Sequence, residues 1–375
     1  MPAVDVRPVE GRLARHRFVD LPFRLYAGDP DWIPPLRLSV LDRISPKHPA
    51  NATQDSCLWM AWRGKEPVGR IGACIDTVFN RLHGERWAWI GFFESIDDQE
   101  VADALFEAAT SWGRAKGAQT CTGPASFTLN DECGLLVENF EDPPLILTTE
   151  NPAYYERLWT EAGWQQAMDL WGWRFDRATI GLSDRHRRIL ERLGQRAKVT
   201  VRESRMKDFN TEVDRLFEVY NAAWSQNWGF SQLSEAEVKH LAKQVKQLVD
   251  PNLVLFAETA DGEPVGCAIC LPDANEAMSK VRSGRLLPFG WYHLLTGMKK
   301  PTKVRVWALG VKPEFQSRAL GPLLYSKLLD NCLAIPSVQS GEASWILASN
   351  DLMNGPIEAM GGQRYKTWRM YQRPA

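Results

Sequence analysis

The chain has 375 residues, of which 44% are hydrophobic, and a formal net charge of −1. This length suffices for two domains, each large enough to bury its own core. A nearly neutral chain has no overall attraction for nucleic acid, so we predict no nucleic-acid partner, and an anionic lipid surface would need a local basic patch.

The seven cysteines are an odd number spread through apolar segments, which favours reduced thiols in a cytoplasmic protein. Cys267 and Cys270 form a CxxC motif that we interpret as part of a buried strand. A structural zinc site needs four ligands and no second pair accompanies them, so we predict no metal. The first residues lack the apolar core of a signal peptide, and no run of about 18 apolar residues occurs, so we expect neither export nor a membrane span.

The chain opens with a turn-rich stretch at residues 29–35, followed by a predicted hairpin in which a strand at 58–62 precedes residues 65–76. The hairpin sequence recurs at residues 262–273. A second motif, around Gly163, recurs around Gly361. The two displacements, 197 and 198 residues, are almost equal, which predicts two tandem copies of one fold.

The first copy continues with a strand at residues 87–93, an acidic loop at 94–100 and a helix at about 99–116. That loop lacks the glycines that let a backbone wrap a phosphate. Carboxylates close to a pyrophosphate would cost on the order of kilocalories each. We therefore predict that the first copy holds no pyrophosphate and serves structure or acceptor binding.

The polar turn at residues 123–134 offers Asn130, Asp131 and Glu132 as acceptor-binding candidates. An Asx-turn with helix caps is the alternative. Residues 178–197 are rich in charge and predict a helical connection. We therefore place the first domain at residues 1–177 and the second at 198–375.

The second copy begins with a strand at residues 199–203 and a helix at about 209–224. A loop at 225–230 follows, in which Asn227 and Trp228 could contact a substrate or pack on the surface. The next helix, at residues 234–248, starts with a capping box.

Residues 282–300 have an almost continuous apolar middle between Arg282 and Arg285 at one end and Lys299 and Lys300 at the other. This pattern is typical of an interfacial segment or the wall of a hydrophobic tunnel. A helix packed on the sheet is the alternative.

A buried strand at residues 304–311, a loop at 312–321 and a helix from Leu320 form the stretch around which the chain is organised. Unpaired amides and the positive end of a helix dipole make such a turn a good site for a pyrophosphate. The candidate binding residues are Leu309, Gly310, Val311, Gln316, Ser317, Arg318, Ala319, Leu320 and Gly321.

Within this stretch, Gln316-x-x-Ala319-x-Gly321 resembles the acyl-coenzyme A signature of the Gcn5-related N-acetyltransferases (GNAT). A second block, Asn350-x-x-Met353-x-x-x-Ile357 between predicted strands at 344–349 and 365–371, resembles the last part of the same fold. The resemblance implies an α/β protein with two GNAT-like domains, each a mixed, mainly antiparallel twisted sheet flanked by helices. It also implies acyl-coenzyme A as co-substrate, either acetyl or long-chain, bound by the second domain.

The usual proton-transfer residues of that family are missing here. Its helix tyrosine falls on Ile357, and the strand at 304–311 holds no glutamate. We take Asp273 as the first candidate base, His293 as the second and Tyr325 as a candidate acid, although each could have a structural role instead. The resemblance places Asn350 on the coenzyme arm, and capping of the following helix is the alternative.

Three further motifs, at residues 29–36, 123–132 and 271–273, resemble the YghO-type family, which includes the bacterial ceramide synthases. This resemblance implies N-acylation of a primary amine, with a long-chain base as a possible acceptor, and gives the sixteen tryptophans and the apolar segment a purpose. A small polar amine as acceptor, or a non-catalytic acyl-coenzyme A sensor, remain alternatives. Peripheral contact with a membrane would suit a lipid acceptor.

Overall fold

The computed structural model describes residues 2–246, 249–318 and 320–375, and for Asp184, His186, Ser317 and Arg318 it describes the backbone alone. The chain forms two compact units. The first comprises Met1–Leu170, Ala277–Leu294 and Lys366–Ala375, and the second comprises Trp171–Glu276 and Leu295–Tyr365. Two later segments thus return to the first unit. The repeat in the sequence carries no signal for this return, because it depends on which neighbour a distant segment packs against.

In the sheet of the first unit, β1 to β5 lie side by side in sequence order, followed by a strand from the far end of the chain. The elements of this unit are β1 (Val4–Pro8), α1 (Gly11–Leu25), α2 (Arg37–Arg43), β2 (Gln54–Arg63), β3 (Glu66–Asp76), α3 (Thr77–His83), β4 (Trp87–Ser95), α4 (Gln99–Ala115), β5 (Thr120–Gly123), β6 (Leu135–Glu138) and α5 (Tyr154–Glu161). β4 and β5 are parallel, whereas β1 to β4 pair antiparallel.

Local sequence explains these elements. In β2 and β3, the predicted hairpin pairs from Gln54 with Asp76 to Arg63 with Glu66. The carboxylate of Asp98 accepts a hydrogen bond from Glu100 N and begins α4, confirming the helix predicted from residue 99. One face of α4 is apolar, and it buries Val101, Ala102, Leu105, Phe106 and Ala109 in the core of the unit.

The second unit repeats the same strand order. After β7 (Gln165–Asp176) come α6 (Asp184–Ala197), β8 (Val199–Glu203), α7 (Phe209–Ala223), α8 (Glu235–Val245), β9 (Val254–Thr259), β10 (Pro264–Pro272), α9 (Asn275–Met278), α10 (Gly290–Gly297), β11 (Lys303–Val311), α11 (Leu320–Leu333), β12 (Ser340–Leu347), α12 (Asp351–Ala359) and β13 (Gln363–Pro374). β8 to β12 lie side by side, and β11 and β12 are the parallel pair. This order confirms the predicted tandem repeat and fold class.

Several predicted details of the second unit can be checked directly. The hydroxyl of Ser234 and the carboxylate of Glu237 form both bonds of the predicted capping box. The predicted end of that helix, at Leu248, lies outside the described residues. The strand predicted at 344–349 starts four residues earlier, because Ser340 already pairs with β11, and it ends in a turn in which Asn350 N donates to Leu347 O.

The cysteines and the helix lengths bear on two further predictions. Cys267 and Cys270 are buried in β10, as predicted, and both thiols are reduced. The Sγ atoms of Cys270 and Cys332 are 3.9 Å apart. Across the described part of the chain, every helix is too short or too polar to cross a lipid bilayer.

Candidate functional site

The two parallel strands of the second unit separate halfway along their length. β11 and β12 pair from Lys303 with Ser340 to Val306 with Ala343, and the pairing stops there. At the same point β11 carries a bulge at Trp307 against β10. Among the described residues, no backbone hydrogen bond joins 307–311 to β12. One backbone edge of β11 is therefore open to a ligand with amide groups of its own.

The loop after β11 contains a short 3-10 helix, Pro313–Arg318. The side-chain amide of Gln316 donates to Val311 O at 3.3 Å, which ties this exposed residue back to the end of the strand. Of the other predicted loop residues, Ala319 lies outside the described residues, and the side chains of Ser317 and Arg318 are not described. The loop is thus a compact turn between strand and helix.

Helix α11 begins at the buried residue Leu320, and Gly321 follows in its first turn. A Cβ atom on Gly321 would meet no heavy atom within 4 Å. The first amides of a helix have no partner within the helix, and the helix dipole favours an anion there. The open space and the amides together fit a pyrophosphate.

Gly310 lies directly under an aromatic ring. A Cβ atom at this position would come within 2.4 Å of the indole ring of Trp224, the residue that ends α7. The side chains of Leu309 and Val311 point the other way, into the core with α11. Asn227 N donates to Trp224 O at 2.8 Å, so the predicted substrate loop with Asn227 and Trp228 starts from the residue that covers Gly310.

Lys312, the first residue of the loop, forms ion pairs with carboxylates of the protein itself. Its Nζ donates to Glu218 Oε1 at 2.6 Å and to Glu263 Oε1 at 2.9 Å. Burial acts to lower the pKa of this amine, but the hydrogen bonds to the two carboxylates outweigh burial and raise the pKa. The ammonium group is therefore charged and paired without a ligand.

Sequence reasoning missed a buried polar cluster beside the point where the strands separate. Arg305 is fully buried and donates from Nε to Ser344 Oγ and from Nη2 to Ser344 O, both at 2.9 Å. The hydroxyls of Ser344 and Tyr365 donate to the carboxylate of Glu342. Arg305 and Glu342 are direct partners in the pairing of β11 with β12. The sequence signal for this cluster was a single arginine, Arg305, and a single glutamate, Glu342, in strands that are otherwise mostly apolar.

The predicted base Asp273 is buried at the end of β10. Its Oδ1 accepts a hydrogen bond of 3.1 Å from Asn275 N, and its own amide donates to Lys303 O. Leu271 pairs with Arg305, so strand alternation puts Asp273 on the same face of the sheet as Arg305. Asp273 and the missed cluster therefore share one face.

The predicted residues Tyr325 and Asn350 converge on Met353. The hydroxyl of Tyr325 lies 3.5 Å from Met353 Sδ, and burial raises the pKa of this phenol, so it holds its proton. Asn350 Oδ1 accepts from Met353 N at 3.3 Å and caps α12, which is the alternative offered for this residue. Ile357, in place of the usual tyrosine, is fully buried in the core.

An apolar cavity of about 70 Å³ lies between α11 and the paired part of β11 and β12. Its wall includes Tyr325, Leu328, Val304 and Val306. Val306 is also the last residue of β11 that pairs with β12. The cavity therefore adjoins the point where the strands separate.

In the first unit, the chain stays against β4 beyond the end of its pairing with β5. β4 pairs with β5 from Trp87 to Trp89, and the chain then stays in contact, because Ala125 N donates to Ile90 O at 2.8 Å and Phe92 N donates to Ser126 Oγ at 3.1 Å. A Cβ atom on Gly91 would lie 1.9 Å from the carbonyl oxygen of Ala125. The protein's own backbone occupies this place.

A buried hydrogen-bond network stands where the second unit has Gly310. Glu94 pairs with Arg70 in the sheet as Gly310 pairs with Cys267. The carboxylate of Glu94 accepts from Tyr26 at 2.7 Å, from Tyr155 at 2.8 Å and from Arg70 at 3.3 Å. Burial, and next the charge of Glu94, raise the pKa of both tyrosines. This network fills the position with protein groups.

The remaining predicted residues lie in the first unit. Asp131 accepts two hydrogen bonds from Arg43, at 2.7 and 2.9 Å, and one from Phe127 N at 2.8 Å, so its carboxylate holds the loop together. Asn130 N donates to Thr128 Oγ1, and Glu132 is exposed. His293 lies in α10, in the segment that returns to this unit. Of the predicted coenzyme residues, Leu309, Gly310, Val311, Gln316, Leu320 and Gly321 lie along the end of β11, the following turn and the start of α11, whereas Asn130, Asp131, Glu132 and His293 belong to the first unit.

Sequence comparison gives the family. No family model matches the chain. The chain is 37% identical over 378 residues to the bacterial ceramide synthase of Caulobacter vibrioides, covering 99% of this chain and 97% of that protein. It is 34% identical to protein YghO of Escherichia coli, covering 95% of this chain and 92% of that protein. The chain belongs to the YghO and bacterial ceramide synthase family.

Solved structures agree with this family in fold. A tandem GNAT protein from the clavulanic acid biosynthesis pathway has a TM-score of 0.56 at 13% identity, covering 99% of this chain and 98% of that one. A GNAT from Sphaerobacter thermophilus has a TM-score of 0.53 at 12% identity, covering 99% and 95%. The predicted tandem GNAT fold is confirmed.

Proposed function

We propose that the protein transfers a long-chain acyl group from coenzyme A to the primary amine of a sphingoid-type base. The observation that carries this proposal is the contrast between the two units. β11 and β12 separate after Val306, whereas in the first unit the chain stays against β4 past the corresponding residue, Ile90, because Phe92 N donates to Ser126 Oγ and Gly91 lies close to Ala125 O. The second unit therefore offers the coenzyme site, and the first unit serves the acceptor side.

The open edge of β11 fits the arm of the coenzyme. The pantetheine arm carries two amide groups, and the unpaired backbone at residues 307–311 offers donors and acceptors with strand geometry. The turn at residues 316–321 and the start of α11 would hold the pyrophosphate, since Gly321 leaves space for it. When bound, acyl-coenzyme A supplies the thioester that the amine attacks.

Two buried carboxylates on one face are the proposed proton acceptors. Asp273 remains the first candidate base, and the structure adds Glu342, which lies one residue before the strands separate. His293 remains the second of the original base candidates. Tyr325 is the proposed acid, because its phenol carries a proton and lines the cavity beside Val306.

The apolar cavity of about 70 Å³ beside Val306 would hold only the first few carbons of an acyl chain, so the proposed preference for a long donor is taken from the family. A family member is named a bacterial ceramide synthase, which supports a long-chain base as acceptor. In this proposal the exposed Glu132, with Asn130, Asn227 and Trp228, contributes to acceptor binding.

Amide formation by the purified protein tests the proposal. Acetyl-, octanoyl- and palmitoyl-coenzyme A are each combined with sphinganine or spermidine, and the products are measured by mass spectrometry. We expect N-acyl sphinganine, formed with the palmitoyl donor at least about a hundredfold faster than with the acetyl donor.

The rival functions give other results in the same assay. Acetylation of spermidine with no preference for a long donor would identify an enzyme for small polar amines. Tight binding of acyl-coenzyme A without turnover on either amine would identify a sensor, for which the buried Ile357 in place of the tyrosine would be the structural reason.

A further inference from the structure

An apolar turn leads into α10 and projects into solvent. Five large apolar side chains are exposed here: Leu287 by 75%, Phe289 by 70%, Tyr292 by 55%, Leu295 by 55% and Trp291 by 48%. A single exposed apolar residue needs no explanation, but a cluster within nine residues forms a patch that marks a binding surface. Because these side chains are exposed, the alternative prediction, a helix that packs them on the sheet, does not hold for them.

The base of this turn is fixed to the first unit. Arg282 donates to the carbonyl groups of Asp29, Pro30 and Trp32. These bonds use the turn-rich stretch at residues 29–35 as a docking point. The apolar turn therefore begins from an anchored position.

Further hydrogen bonds hold the turn in one conformation. Arg37 donates from Nε to Ser283 O at 2.7 Å and from its amide to Gly284 O at 3.0 Å. At the tip, the indole Nε1 of Trp291 donates to Pro288 O at 2.9 Å. A turn with this many hydrogen bonds presents its apolar side chains in a fixed direction.

The segment that carries the patch is positively charged. Residues 277–302 contain five Lys and Arg residues and no Asp or Glu, in a chain whose net charge is −1. Lys280, Arg285, Lys299 and Lys300 are exposed and form no ion pair with any described residue. Unpaired cations beside Trp and Tyr side chains complement an anionic membrane–water interface.

We propose that residues 286–292, defined here as the membrane turn, dock the protein on the surface of an anionic lipid bilayer. Leu287 and Phe289 enter the boundary between headgroups and acyl chains, and Lys280 and Arg285 contact the anionic headgroups. A second copy of the chain is the less suitable occupant, since a twofold contact would bring these cations against each other. The proposal goes beyond the proposed function and does not depend on the acceptor.

Binding of the full chain to vesicles, without substrates, tests the proposal. Vesicles of phosphatidylcholine with one quarter phosphatidylglycerol are compared with vesicles of phosphatidylcholine alone by co-sedimentation. We expect binding to the anionic vesicles, weakened by salt, and at least about fivefold weaker binding to the neutral ones. The double variant Leu287→Ser/Phe289→Ser should bind at least about tenfold more weakly. Lys280→Glu/Arg285→Glu should lose the preference for anionic vesicles.

Matched variants elsewhere serve as controls. Leu13→Ser/Leu352→Ser removes equally exposed leucines, and Lys65→Glu/Lys207→Glu reverses exposed lysines away from the turn. Both should bind vesicles as the unaltered chain does. No vesicle binding by the unaltered chain, or equal loss in the control variants, overturns the proposal. A dimer that Leu287→Ser/Phe289→Ser converts to a monomer, with vesicle binding unchanged, also overturns it. Acyl transfer measured in detergent is independent of these results.

Discussion

The backbone amide of Ala125 donates a hydrogen bond of 2.8 Å to the carbonyl oxygen of Ile90. Ile90 corresponds to Val306, the last residue of β11 that pairs with β12, and two residues further along Phe92 N donates to Ser126 Oγ at 3.1 Å. The first unit therefore keeps its chain against β4 at the level where β11 has left β12. The repeated fold is thus used in two ways. One copy fills the gap with its own backbone, and the other leaves a strand edge and a helix N-terminus open.

Coenzyme binding should depend on the open space at Gly321. In Gly321→Glu a carboxylate enters the site proposed for the pyrophosphate, and repulsion between the two anions should raise the Kd for acyl-coenzyme A at least about a hundredfold. Isothermal titration calorimetry measures this Kd. Gly355→Glu is the control, because a Cβ at Gly355 also meets nothing within 4 Å, and its Kd should stay unchanged. Similar Kd values for both variants would refute the assignment.

The first unit should depend on the close approach at Gly91. In Gly91→Ala the new methyl group overlaps the carbonyl oxygen of Ala125, a backbone atom, and the shift needed should cost about 3 kcal/mol of stability. Thermal unfolding measures this loss. Gly28→Ala, where the added methyl group contacts nothing within 4 Å, should change stability by less than about 0.5 kcal/mol. A Gly91→Ala protein as stable as Gly28→Ala would show that the strands can separate in this unit too.

The cluster around Arg305 should be sensitive to charge. Glu342→Gln leaves the fully buried guanidinium without its carboxylate partner, which should destabilise the protein by about 3 kcal/mol. Tyr365→Phe removes one hydrogen bond and should cost about 1 kcal/mol. Urea unfolding compares the two. If Glu342→Gln is no less stable than Tyr365→Phe, the charge of Glu342 does not stabilise the cluster.

Glu150 should make stability depend on pH. Burial, with Asp29 and Asp31 adding to it and Lys366 opposing it, raises the pKa of Glu150 to about 7. Its Oε2 is buried without a hydrogen-bond partner among the described residues. The protonated form is therefore the stabilising one. Its contribution is complete below the unfolded pKa of about 4.5 and is lost as pH rises through about 7.

Replacing Glu150 with glutamine should remove this dependence of stability on pH. At pH 8 Glu150→Gln should be more stable than the unaltered chain by about 1 to 2 kcal/mol, a value reduced from the full linkage energy because the group is partly exposed. At pH 4 the two should be equally stable. Thermal unfolding between these pH values provides the measurement, with Glu141→Gln as a control in the same loop. A constant difference across the range would contradict the predicted titration.

The sequence by itself determined the elements whose signal is local. The repeated hairpin motif, the capping box of Ser234 with Glu237, and the order of buried strand, turn and helix at residues 304–333 all follow from periodicity and short-range hydrogen bonds. These signals also gave the fold class, because the same motifs recur at one spacing along the chain.

Only the tertiary structure determined which copy leaves a strand edge open and which fills that place with its own backbone. The deciding contacts join residues that are distant in sequence. They are the contact of Ala125 with Ile90, the pairing of Arg305 with Glu342 up to the point where β11 leaves β12, and the return of Lys366–Ala375 to the first unit. Such contacts depend on which strands pair and how closely two backbones approach. The residue pattern of a single strand does not specify its pairing partner or how closely another backbone approaches it.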